Sequence, residues 1–175
     1  MLSSVLPFTI IIVMSFLRFL MLLSLVVWLG ALIFFPVVAQ TAFAVLPTRH
    51  LAGLVVRRSL GILHWMGVIS GVVFLASSLV QRRLNESRLS DRAAPGFAAR
   101  NVLVCLMLAL TLISQFGIIP RMDTLRTSIG DIDSASAANP ARLQFDALHV
   151  WSTRIESGVL LLGFVVAYLI SRSLA

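Results

Sequence analysis

Two histidines and a glutamate lie within or at the edge of otherwise apolar stretches of this chain. His64, His149 and Glu156 are the side chains with the most chemistry to offer. Ionisable groups in such settings are costly, and they mark functional hypotheses by default. Two imidazoles on facing helices could hold a b-type haem. With a carboxylate added, the same set resembles the ligands of a catalytic zinc. Gln40 and Gln115 are polar positions in the remaining apolar stretches, and a small polar ligand could draw on them as well. Arg57 or Arg58 pairing with Glu156 would offset the cost of a carboxylate away from water. The alternative needs no ligand: these groups hydrogen-bond between helices and fix the register of a bundle. No nucleophile–base arrangement, phosphate loop, CxxC or HExxH pattern accompanies them, so the sequence offers no recognisable enzyme chemistry.

The elements that must position these residues are set by hydropathy. Uncharged runs cover 19–46, 59–81, 101–119 and, less cleanly, 157–171. A bilayer core of about 30 Å takes roughly 20 apolar residues at 1.5 Å rise each. Lipid offers no partner for an unpaired backbone N–H or C=O, so each run must be helical. Counting back about 20 residues from Ser171 reaches Ser152, which puts Arg154 and Glu156 within the membrane or its headgroup boundary, and the predicted helices cover about 19–46, 59–81, 101–119 and 147–171. The expectation is an all-α, integral membrane four-helix bundle. Pro36 predicts a kink in the first helix. Pro120 closes the third, and 121–144 reads as a long loop. In that loop Asp131 and Asp133 alternate as in a calcium site, but Ala135 and a missing glycine break the pattern.

Periodicity aims the polar residues. In an antiparallel four-span arrangement, Gln40, His64, Gln115, His149 and Glu156 all fall toward one membrane side. Asp146, His149, Ser152, Thr153 and Glu156 follow spacings of three and four, which predicts one stripe on the fourth helix. Arg154 points away from it. On the second helix, Arg57, His64 and Gly71 share a face with Gly67 beside them. Gly67, Gly71 and Ser78 predict a surface of close helix contact. Trp65 and Trp151 suit an interfacial belt, and Trp28, deeper in its run, suits packing.

Composition agrees with a membrane setting. The 175 residues are 59% hydrophobic and 12% charged, with a mean hydropathy of +1.00. The net charge of +7 is carried by arginine alone, since the chain has no lysine. Beside apolar spans these arginines anchor helix ends and meet anionic headgroups, so the expected partner is the lipid bilayer, with other membrane subunits possible and no nucleic acid. The single cysteine, Cys105, reads as a small buried hydrophobe within the third run. Residues 1–17 read as an N-terminal extension, with Met14 a plausible true start, ahead of one membrane domain over 18–175. Arginines divide equally between the two sides. Committing Arg57, Arg58 and Arg154 to intramembrane pairing tips the balance to cytoplasmic N and C termini in a bacterial inner membrane.

Three fragments resemble the transmembrane protein 205-like family, also catalogued as domain of unknown function 4149. They are Trp28-Leu29-Gly30 with Phe34-Phe35-Pro36, then Ile119-Pro120-Arg121 with Leu125-Arg126, then Phe145-Asp146-Ala147-Leu148-His149 followed by Ser152. The resemblance spans about 18–170 and implies a four-helix multipass domain, with little said about biochemical role. A looser likeness to copper-resistance membrane domains keeps metal handling open. The reading commits to a structural or accessory membrane protein with no cofactor. Its alternative is a protein that binds haem b, a metal ion or a small molecule through His64, His149 and Glu156, helped by Gln40, Gln115, Arg57 and Arg58.

Overall fold

A computed structural model of the chain describes residues 2–86, 95–130 and 134–172. The described elements are α1 (Leu2–Val45), α2 (Arg49–Glu86), α3 (Pro95–Ile113), a π-helical turn (Ser114–Ile118), α4 (Ile119–Ile129) and α5 (Pro140–Arg172). α3, the π turn and α4 run on as one rod, so four rods are long and apolar enough to cross a bilayer. The fold is an all-α, four-helix bundle of membrane-spanning character.

Every rod outruns the apolar run that announced it. Hydropathy marks how deep a residue lies in lipid, whereas the backbone ladder continues into the interface wherever a neighbour is available. The segment 49–58, expected as a connection, is the first part of α2, and Ala52 and Gly53 on it are buried. α1 begins at Leu2 and continues as helix through Pro36 to Val45.

Pro120 does not end the third rod. A proline in a continuous α-helix would meet the carbonyl four residues back and could not bond it. Here the chain widens into one π turn, with the Ile119 N–H donating to the Ser114 carbonyl five residues earlier, and Pro120 falls in the first turn of α4. That placement makes its missing N–H harmless. Helices α4 and α5 therefore take in 121–129 and 140–144 of the expected loop, and only the connection between them is left. Gly130 opens it at φ +73°, its N–H donating to the Arg126 carbonyl at 3.0 Å. The alternating aspartates Asp131 and Asp133 lie outside the described residues.

The rods form a ring: α1 packs on α2, α2 on α3, α3 on α5, and α5 back on α1, so α2 and α5 stand diagonally. The core includes Leu25, Trp28, Phe74, Met107, Val159 and Val166. In lipid the burial of apolar surface gives little drive, and close packing at small residues does more. Gly67 is such a point, because a β-carbon there would stand 2.4 Å from the Trp28 indole nitrogen. Gly163 receives Leu29 in the same way, at 2.3 Å. The small-residue face of α2 serves two neighbours, since Gly71 meets Leu108 of α3 and Ser78 donates to Asn101 of α3 at 2.8 Å. Cys105 is exposed on the outside of α3, contrary to the buried position expected. Val104 and Met107 take the inward positions, and residue 105 is turned about 100° from the first.

Candidate functional site: a histidine clasp across the bundle

His64 stands at the centre of the polar interior and is 1% exposed. Its Nε2 lies 2.6 Å from Oε1 of Glu156 on α5, and its Nδ1 lies 2.8 Å from Oε1 of Gln115 on the π turn. One imidazole thus joins three rods, including the diagonal pair α2 and α5. The depths explain why they meet. Each residue lies roughly 21–24 Å from the end that its helix shares with the others, at about 1.5 Å per residue.

Both ring nitrogens face oxygen. An imidazolium satisfies both by donating twice. A neutral ring does so by donating from Nε2 to Glu156 while Gln115 turns its amide NH2 toward Nδ1. Either way the two nitrogens are occupied from within the protein. The π turn contributes directly, because one extra residue per turn re-aims the side chains that follow, and Gln115 is among them. Beside it, the Ser114 and Thr111 hydroxyls are buried with no hydrogen-bond partner among the described residues.

Four of the seven expected site residues are not in this cluster. His149 is exposed, and lies two turns, about 10 Å, nearer the shared end than Glu156. The same face of α5 does not mean the same depth, and the expected stripe divides: Ser152 and Glu156 turn inward, while Asp146, His149 and Thr153 are exposed. Gln40 is exposed near the end of α1, well short of the level of His64. The pairing of Arg57 or Arg58 with Glu156 is replaced. Arg57 makes a bidentate ion pair with Asp123 of α4, and Glu156 belongs to His64. Arg57 sits about 10 Å from His64 along α2, level with Asp123 and beyond reach of Glu156. Arg58 is exposed. Arg154 points away from Glu156 as expected, and stacks on Trp151 at 5.5 Å.

Two polar groupings went unread in the sequence. Arg126 lies against Gly53 of α2 and over the Phe145 ring at 5.5 Å, tying α4 to both α2 and α5. Near the opposite end, Arg100 donates to Gln81 at 3.5 Å beside the Ser78–Asn101 bond. The signals were available as Asp123 and Asn101, polar residues at the borders of a run. Assigning 121–144 to a loop hid the first.

Among the described residues, no three His, Cys, Asp or Glu side chains are grouped to hold a metal ion. With this geometry in view, the sequence matches the family model described as Domain of unknown function (DUF4149) over residues 23–130, more than half of the chain. The chain belongs to the DUF4149 family. The DUF4149 match takes in His64, Gln115 and the π turn, while Glu156 and all of α5 lie beyond it. No curated protein and no solved structure matches the chain.

Proposed function

We infer that this DUF4149 protein is a structural or accessory multipass protein of a bacterial cytoplasmic membrane, its four rods held in register by the His64 clasp. The observation that carries this reading is the double engagement of His64, with Glu156 on one nitrogen and Gln115 on the other. A haem or metal ligand must present a free nitrogen lone pair, and here each nitrogen has an internal partner. His149, the second histidine such a site would use, is exposed about 10 Å away along the axis. The finer kinship, to transmembrane protein 205-like proteins, is part of the same proposal and rests on the three quoted fragments.

Both termini are assigned to the cytoplasm in this reading. The fourteen arginines divide equally between the two sides, so labelling of single cysteines at Ser90 and Ala135 from opposite faces decides the assignment. The experiment for the function is purification from native membranes followed by elemental analysis, visible absorption and mass spectrometry of bound species. The expected result is protein without stoichiometric metal, haem or small molecule. A stoichiometric species lost on His64→Ala, in protein that stays folded, would overturn the structural reading in favour of a ligand site.

A further inference from the structure

A groove on the outer surface runs along α2, bounded on its far side by the π turn and α4. Its volume is about 360 Å³, and its lining includes Arg58, Ile62, Trp65, Met66, Ile69 and Gln115. The α2 residues follow spacings of three and four and make one face. Ile62, Trp65, Met66 and Ile69 are all exposed on it. The Trp65 ring meets Phe116 edge-on, centroids 6.4 Å apart, and walls one side. The groove is apolar along its length and cationic at one end only.

Two features point to its occupant. The first is charge: of the two arginines at the mouth, Arg57 is committed to Asp123, while Arg58 is exposed and has no partner among the described residues. The second is length. From Arg58 to Ile69 the axis covers roughly 16 Å, close to the ~15 Å depth of one leaflet of a bilayer core. Arg58 borders the uncharged run that starts at Ser59, and hydropathy thereby assigns its guanidinium to the headgroup level. A planar guanidinium donates two parallel hydrogen bonds to phosphate oxygens.

We propose that this groove is a selective site for one anionic phospholipid, its phosphate on Arg58 and an acyl chain laid along Ile62, Trp65 and Ile69. The site goes beyond the clasp reading and stands without it, since none of the lipid contacts uses His64. Gln115 lies at the wall of the groove while bonded to His64, so an occupied groove would brace the outer side of the clasp.

Trp65 is the reporter. Full-length Trp151→Phe protein, which keeps Trp65 and the buried Trp28, is reconstituted into vesicles with increasing fractions of brominated phosphatidylglycerol or brominated phosphatidylcholine. The expected result is quenching at a roughly five-fold lower fraction of the anionic lipid, the scale of one arginine at a charged surface. Arg58→Gln should abolish that preference while leaving quenching by both lipids, and Arg58→Lys should keep part of it. Circular dichroism of each variant checks folding, and inorganic phosphate should not compete. Equal quenching by the two lipids in the parent protein, or a preference that survives Arg58→Gln, would overturn the proposal.

Discussion

His64 and Glu156 meet at 2.6 Å although their helices stand diagonally in the bundle. The contact therefore crosses the interior, and Gln115 closes it from the third side. A polar bridge of this kind fixes the relative sliding of helices that apolar packing alone leaves loosely specified. Interhelical hydrogen bonds in membranes are worth about 0.6 kcal/mol on average and up to about 1.7 kcal/mol. Gln115→Ala removes one of two bonds to the ring and should cost under about 1 kcal/mol. Thermal unfolding in detergent measures it.

The small-residue contacts should be more sensitive than any single polar group. Gly67→Ala places a methyl against the Trp28 indole and should destabilise by about 1–3 kcal/mol, the usual cost of overpacking. Gly163→Ala should behave alike against Leu29. Gly30→Ala and Gly61→Ala have nothing within 4 Å and should be neutral or slightly stabilising, given the better helix propensity of alanine. Unfolding midpoints of the four variants in one detergent separate the pairs.

The Arg57–Asp123 ion pair should matter little at equilibrium. Both side chains are partly exposed, at 49% and 31%, and such pairs contribute roughly 0–1 kcal/mol with strong screening by salt. Asp123→Asn should lower stability by less than about 1 kcal/mol, and the difference should shrink further as salt is raised. A loss well above that would mean that the pair is shielded from water.

Much of this arrangement was legible in the sequence, and the rest was lost for identifiable reasons. His64 and Gln115 lie five and four residues inside the ends of the runs 59–81 and 101–119 that share a membrane side, so counting along the runs brings those two together, and Glu156, just outside the run 157–171, joins them once its helix is extended toward that side. His149 has the right face and the wrong depth, since facing repeats every seven residues while depth changes by about 10 Å. Pro120 reads as a helix end because sequence gives no sign of the π turn that accommodates it. Treating the next stretch as a loop then hid Asp123 and Arg126, the partners of α2 and α5.

Topology is open to direct test in a background where Cys105 is replaced by alanine. Single cysteines at Ser90 and Ala135 should be labelled by an impermeant reagent from opposite faces of the membrane. Cytoplasmic termini place Ser90 inside and Ala135 outside. Labelling of both from one face would contradict the four-span arrangement.

The central claim is that His64 and Glu156 are coupled across the bundle as a structural bridge. A double-mutant cycle measures that coupling: the parent, His64→Ala, Glu156→Ala and the double variant, each unfolded in the same detergent. The account expects each single change to cost about 1–2 kcal/mol and the double change to cost less than their sum, leaving a coupling of roughly 0.5–1.7 kcal/mol. Additive losses, with no coupling between the two positions, would contradict it.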